Sequence, residues 1–126
     1  MRLLLDTHVL LWWLTDSSEL SPEARTAIAE PDNLVYVSAV SIWEIVVKLN
    51  LGKLDLPADW AGVLENEAFR KLPVTWDHAL EVARLPNLHR DPFDRLLLAQ
   101  AKSENLILVT HDDAVLQYNS VRTLKT

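Results

Sequence analysis

Four acidic residues lie where a chain of alternating strands and helices would bring them to one edge of a sheet. Asp6 follows one apolar run and Asp112 follows another, while Glu44 and Asp94 lie at the starts of two predicted helices. Grouped carboxylates repel each other unless a cation neutralises them. A carboxylate set without cysteine suits Mg²⁺ or Mn²⁺. Since such an ion can orient water against a phosphodiester, these residue types predict metal-assisted hydrolysis.

Each acid also has an ordinary structural explanation. Asp6 and Asp112 can cap the helices that follow them. Glu44 can complete a capping box with Ser41, or pair with Lys48 four residues later. Taken singly these signals are weak, so the prediction depends on all four segments reaching the same edge.

Two further acids flank these positions. Asp91 precedes Pro92, which is typical of a helix N-cap, and it shares a helix face with Asp94 at a spacing of three. Asp94 itself can serve as a first-turn acid that matches the helix dipole. Asp113 follows Asp112 and can be a solvated neighbour. We expect Asp91 and Asp113 to be supporting groups at most.

The elements that must position these acids alternate along the chain. Apolar runs rich in branched residues predict strands at 2–5, 34–37, 71–74 and 106–109, with an edge strand at 121–124. Helical spacing and capping signals predict helices at 8–14, 22–30, 41–51, 57–69, 76–84, 92–103 and 113–117. This order predicts an α/β fold, a three-layer α/β/α sandwich with a central, mostly parallel sheet. In such sheets the site lies beyond the carboxyl ends of the strands, at the topological switch point.

The composition limits the classes of protein. The 126 residues suffice for a single domain, 1–126, and the absence of cysteine excludes disulfides and thiolate metal sites. The net charge of −6 argues against a generic nucleic-acid-binding protein but not against a nuclease whose metal ion meets the phosphate. No apolar stretch approaches the roughly 18 residues of a membrane span. We expect a cytoplasmic protein that does not contact membranes.

The segments that carry the acids resemble the PIN-domain family, and within it the VapC-type toxins of toxin–antitoxin systems. The resemblance covers nearly the whole chain in order and is most specific in its third block. The four blocks are Leu4-Leu5-Asp6-Thr7-His8-Val9-Leu10-Leu11-Trp12, Val37-Ser38-Ala39-Val40-Ser41-Ile42-Trp43-Glu44-Ile45, His89-Arg90-Asp91-Pro92-Phe93-Asp94-Arg95-Leu96-Leu97-Leu98-Ala99-Gln100-Ala101 and Leu108-Val109-Thr110-His111-Asp112.

Carried over by position, the resemblance implies that Asp6, Glu44, Asp94 and Asp112 are the catalytic acids. It implies that Asp6, Asp94 and Asp112 bind the metal ion. Thr7 and Thr110 match hydroxyl positions near the acids, where a hydroxyl can orient water or a carboxylate. Asp91 and Asp113 lie outside the core pattern.

The family also implies an activity and partners. A member is expected to be an endoribonuclease dependent on Mg²⁺ or Mn²⁺ and the toxin of a type II toxin–antitoxin pair. It is expected to form a homodimer and to bind an antitoxin that occupies the active-site groove. DNA is expected to be bound only through the antitoxin.

The remaining basic and aromatic residues leave alternatives open. Arg95 can contact RNA phosphate, balance the acids or form a surface ion pair. Trp12 and Trp13 are adjacent on one helix, so either one of them is partly exposed and lines an antitoxin or dimer surface, or both wedge between helix and sheet. His8 and His111 adjoin two of the acids but have no catalytic role in the expected mechanism.

Two other functions fit the same size and layering. A non-catalytic protein-interaction module would not need four acids at one edge. A phospho-receiver domain needs paired acids after its first strand and a lysine after its last, whereas this chain has only Asp6 at the first position, and Lys125 lies at its end. We therefore favour the nuclease.

Overall fold

A five-stranded parallel sheet forms the centre of the protein in a computed structural model that describes residues 1–126. The strands lie in the order β3-β2-β1-β4-β5, and all four strand pairs are parallel, so the sheet is wholly parallel. The strands are β1 (Arg2–Leu5), β2 (Leu34–Ser38), β3 (Arg70–Leu72), β4 (Ile107–Thr110) and β5 (Thr123–Lys125). The chain reverses its direction of travel across the sheet between β1 and β4, which makes that boundary the switch point.

Seven helices connect and cover the strands. They are α1 (Thr7–Leu14), α2 (Pro22–Ala29), α3 (Ala39–Asn50), α4 (Trp60–Glu65), α5 (Trp76–Val82), α6 (Pro92–Ser103) and α7 (Asp113–Leu116). No helix combines the length and apolar character that crossing a membrane requires. This arrangement is the predicted α/β sandwich.

Alternation along β1 explains why helices cover both faces of the sheet. Leu3 and Leu5 pack into one apolar core, whereas Leu4 packs into the other, and all three side chains are fully buried. Burying a leucine contributes roughly 1.5–3 kcal/mol, so the core that takes Leu3 and Leu5 gains about twice as much from this strand as the core that takes Leu4. A strand buried on both faces belongs in the middle of the sheet.

Polar residues at the strand ends cap the helices that follow. Asp6, at the end of β1, accepts a hydrogen bond from the His8 backbone N–H at 3.3 Å and so caps α1. Ser38 caps α3 through the Val40 N–H at 3.0 Å, and Asp112 caps α7. The tight strand-to-helix turns therefore place short polar side chains at the carboxyl edge of the sheet.

Two predicted helix starts differ from the structure by more than one residue. Helix α3 begins at Ala39 with Ser38 as its cap, so Ser41 does not form the expected capping box with Glu44. The predicted helix 57–69 is only the six-residue α4, whose N-cap residue Asp59 makes no side-chain capping bond. Gly62 within it lowers the helix propensity further.

Candidate active site

Asp6 lies at the switch point, where hydrogen bonds hold both its backbone N–H and its carboxylate. Its backbone N–H donates to the Val109 carbonyl at 3.0 Å, which joins the ends of β1 and β4. Its carboxylate accepts from the Thr110 hydroxyl at 2.6 Å and, as the α1 cap, from the His8 N–H. Burial raises the pKa of Asp6, and these two bonds partly offset that rise, as do nearby His8 and His111.

His89 joins two acids from different segments. Its Nε2 lies 2.7 Å from Asp94 Oδ2 and 3.3 Å from Asp112 Oδ2. One ligand atom from each of these three residues lies within 4.8 Å of the others. Burial lowers the pKa of His89, but the hydrogen bond to Asp94 and the charges of Asp94, Asp112 and Asp91 outweigh it, so the pKa is raised.

Asp94 has the most perturbed carboxyl group in the protein. Burial, followed by the charges of Asp6 and Asp91, raises its pKa to about 7, while the hydrogen bond from His89 acts in the opposite direction. The charge of Asp6, at the end of β1, therefore acts on an acid in the first turn of α6. Perturbed carboxyl groups in such a position are typical of functional sites.

Glu44 approaches the site from α3 and is almost fully buried. One carboxylate oxygen, Oε2, accepts from Lys48 Nζ at 2.7 Å, which is the i, i+4 pair expected from the sequence. The other oxygen, Oε1, is buried without a hydrogen-bond partner. Burial lowers the pKa of Lys48, but Glu44, Asp91 and Asp94 raise it overall, so its ammonium group also faces the acids.

The supporting residues fall into two groups. Thr110 contacts the acids directly, because its Oγ1 donates to Asp6 and also accepts from the Asp112 N–H at 3.1 Å. Asp91 acts on the backbone of α6 by accepting from the Phe93 and Asp94 N–H groups. Thr7 and Asp113 have other contacts. Thr7 donates to Ser41 Oγ at 3.0 Å, and the exposed Asp113 lies 3.8 Å from Lys125 Nζ.

Arg95 points away from the carboxylates. Its guanidinium donates to the carbonyls of Pro86, His89 and Val82 and to the Tyr118 hydroxyl, at 3.1–3.3 Å. These bonds hold the segment between α5 and α6 against the start of α6. The expected contact with RNA therefore has no support from the position of this side chain.

The sequence did not reveal the contacts of His89, and it revealed Lys48 only as a possible partner of Glu44. His89 was recognisable only as a basic residue before Asp94, because the loop path that turns its ring onto two acids is not encoded in a local pattern. Lys48 looks like an ordinary solvated residue in the sequence. Its spacing of four from Glu44 was the only signal of its position.

The donor set fits a hard divalent cation. Asp6, Asp94 and Asp112 present oxygen donors, which suit Mg²⁺ and Mn²⁺, and the like charges need a cation to be stable together. A bound cation would offset the repulsion that raises the pKa of Asp94, and Glu44 Oε1 is a further carboxylate oxygen without a hydrogen-bond partner. His89 and Lys48 supply compensating positive charge at its border.

Together these features define an α/β protein with a carboxylate site at the carboxyl edge of a parallel sheet. The chain belongs to the PIN domain family, whose family model matches residues 3–120.

A curated relative is ribonuclease VapC22 of Mycobacterium tuberculosis, 33% identical over 112 residues that cover 86% of this chain and 85% of the relative. The fold is similar to that in the crystal structure of VapBC2 from Rickettsia felis bound to a promoter DNA fragment. There the TM-score is 0.76 at 12% identity, with 100% and 99% of the two chains covered. A crystal structure of VapBC-5, from the VapBC family of toxin–antitoxin systems of M. tuberculosis, matches at a TM-score of 0.65 and 26% identity and covers 99% and 98%.

Proposed function

We propose that residues 1–126 act as one nuclease domain, an endoribonuclease that is the toxin of a type II toxin–antitoxin pair. The observation that carries the proposal is that ligand atoms of Asp94 and Asp112 lie within 4.8 Å of each other, while Thr110 joins Asp112 to Asp6 at the switch point of a PIN-domain sheet. The 33% identity to a protein named as a ribonuclease supports RNA as the substrate.

The surroundings of each carboxylate determine the role that we propose for it. Asp6, Asp94 and Asp112 would hold Mg²⁺ or Mn²⁺, and Thr110 fixes the Asp6 and Asp112 segments relative to each other. When bound, the ion supplies positive charge for the scissile phosphate and lowers the pKa of water. Glu44 has a carboxylate oxygen without a partner, which can accept a proton from the attacking water. Lys48 orients the Glu44 carboxylate through their ion pair.

The partners follow from the solved relatives. Their crystal structures are toxin–antitoxin complexes, one of them bound to a DNA fragment from their promoter. We propose a cognate antitoxin that covers the active site, a homodimer of the toxin, and contact with DNA only through the antitoxin. We also propose that the protein acts in the cytoplasm, where a toxin of this kind meets cellular RNA.

RNA cleavage by the purified chain tests the function. We expect an end-labelled single-stranded RNA to be cut internally in the presence of Mg²⁺ or Mn²⁺ and to stay intact in EDTA. Asp94→Asn should lower the cleavage rate by about two orders of magnitude or more, because it removes a charge that acts on the reacting groups.

Asp113→Asn is the matched control, since it removes one acid from an exposed side chain next to Asp112. It should cleave at the wild-type rate. Equal cleavage by the wild type and Asp94→Asn would show that the site is wrongly assigned. A wild-type chain that cuts no RNA under any of these conditions would contradict the function itself.

A further inference from the structure

Three rings from two segments form a cluster that the proposed mechanism does not use. His8 and Trp12 lie one turn apart on α1, with ring centroids 6.2 Å apart. His111, between β4 and α7, lies 4.6 Å from the Trp12 ring and 5.2 Å from the His8 ring, the latter edge to face. His8 is exposed, whereas Trp12 and His111 are half-buried. We call these three residues the ring cluster.

The ring cluster borders the carboxylate site. The backbone N–H of His8 donates to the Asp6 carboxylate, and His111 directly precedes Asp112. Both imidazoles lie close enough to lower the pKa of Asp6 when charged. Neither ring belongs to the group of His89, Asp94 and Asp112 that could hold a metal ion.

Hydrogen bonding within the protein does not explain the cluster. His111 Nδ1 is buried and has no partner, so contacts between rings rather than a polar bond hold this imidazole in place. The neighbouring Trp13 differs, because its half-buried ring packs against Phe69 at the edge of the core. Of the two adjacent tryptophans, only Trp12 faces the carboxylate edge.

RNA binding at this edge gains from attraction that does not depend on charge. The protein has a net charge of −6, and the positive groups at the border of the site, His89 and Lys48, are already paired with its carboxylates. Single-stranded RNA offers unstacked bases, which bind aromatic rings with about 1–3 kcal/mol per base and independently of backbone charge.

We propose that the ring cluster of His8, Trp12 and His111 is a stacking site for one base of single-stranded RNA, that of a nucleotide next to the scissile phosphate. This proposal rests on the ribonuclease function above and names a part of its substrate site. The stacked base holds the chain in register, so that the neighbouring phosphate lies over Asp6 and Asp112.

Substitutions of Trp12 test the site by separating binding from chemistry. Trp12→Leu keeps apolar bulk but removes the large ring, and we expect it to raise KM about tenfold while kcat changes little. Trp12→Phe, which keeps a smaller ring, should raise KM by less than Trp12→Leu does. Trp76→Leu is the matched control, because Trp76 is 82% exposed on α5, and it should leave KM unchanged.

An abasic substrate identifies the contact as base stacking. The same RNA is made with a single abasic nucleotide at each position flanking the cleavage site in turn. At one position the abasic nucleotide should raise the KM of the wild type about as much as Trp12→Leu raises KM with the intact RNA. The KM of Trp12→Leu should not rise further with that abasic RNA. The stacking site would be overturned if folded Trp12→Leu kept the wild-type KM. It would also be overturned if the KM of Trp12→Leu rose further with the abasic nucleotide at every position.

His8→Ala keeps the test decisive if Trp12→Leu unfolds, because His8 is exposed and outside the core. It should also raise KM, by less than Trp12→Leu, and an unchanged KM would count against the cluster. If the wild type cuts no RNA, the ribonuclease function is wrong. The stacking site is then tested by itself, by measuring the affinity for the same labelled RNA with fluorescence anisotropy. Weaker binding by His8→Ala then supports it, and equal binding overturns it.

Discussion

The carboxyl group of Asp94 makes the stability of the metal-free protein depend on pH. Its pKa lies at about 7 in the folded protein against an ordinary value of 3.8, so the folded state holds more protons between these limits. The pKa of His89 is also raised above its ordinary value of 6.5. The folded state therefore also holds more protons than the unfolded state above pH 6.5. A protein whose folded state binds more protons than its unfolded state loses stability as the pH rises.

We therefore expect the free energy of unfolding in EDTA to fall as the pH increases from about 4 through 7, with the His89 contribution lost from about 6.5 upward. Asp94→Asn should flatten this dependence, because it removes the acid and the charge that raises the His89 pKa. Urea unfolding at closely spaced pH values measures both curves. Parallel curves for the wild type and Asp94→Asn would contradict the assigned cause.

Thr110 is the residue on which the Asp6 carboxylate depends most directly. Thr110→Val keeps the shape of the side chain but removes the bonds to Asp6 and to the Asp112 N–H. We expect a loss of stability of about 1–3 kcal/mol and a loss of about 10-fold or more in metal affinity. Urea unfolding and a metal titration measure the two effects.

Thr7→Val is the control for Thr110→Val. It also removes a buried hydroxyl hydrogen bond, but that bond goes to Ser41 rather than to a carboxylate. Its stability should fall while its metal affinity stays near that of the wild type. Equal losses of metal affinity in both variants would mean that Thr110 acts only through stability.

The sequence could predict which acids reach the edge of the sheet, but not all their contacts. Asp6 follows β1 directly and Asp112 follows β4 after one residue, so the parallel pairing of these two strands brings both acids to one edge. Asp94 lies one turn into a helix whose cap, Asp91, is recognisable from Pro92. The contacts of His89 and Arg95 depend on the loop after α5, which has no periodic pattern to define its course.

At the scale of elements, a buried polar chain connects the helices that carry Glu44 and Asp94. Gln100 on α6 is fully buried and accepts from the Ser38 hydroxyl at 2.5 Å, and Ser38 caps α3. Its amide group donates to the Pro73 carbonyl at 3.2 Å and lies 3.3 Å from His78 Nδ1. This chain ties the starts of α3 and α5 to the middle of α6.

Gln100→Leu should destabilise the protein, because it leaves Ser38 and the Pro73 carbonyl buried without their partner. Each buried group left unsatisfied costs about 1–3 kcal/mol. Ser103→Ala, at an exposed position on the same helix, should change the stability little. Urea unfolding of the two variants measures the difference, and a Gln100→Leu protein as stable as Ser103→Ala would contradict this role.

Element boundaries could be predicted where capping and burial agree. Helix α6 begins and ends as the sequence predicts, because Asp91 caps it, Pro92 starts it and apolar residues repeat along it. Helix α4 is much shorter than predicted, since an apolar spacing over 57–69 has no effective cap and contains Gly62.

The charge of the whole molecule leads to the last prediction. Part of the net charge of −6 is gathered in the carboxylate site, so a cation bound there stabilises the folded state alone. At one hundred times the dissociation constant, a ligand adds about 2.7 kcal/mol, enough to raise Tm by several degrees. We expect Mg²⁺ and Mn²⁺ to do so at constant ionic strength.

The shift should vanish in Asp94→Asn and persist in Asp113→Asn, because general screening of a negative protein acts on both variants alike, whereas a bound ion needs Asp94. Thermal unfolding followed by circular dichroism, with KCl replacing the divalent salt at equal ionic strength, separates the two effects. An equal shift in both variants would assign it to screening. No shift in the wild type would favour an interaction module that binds no metal ion.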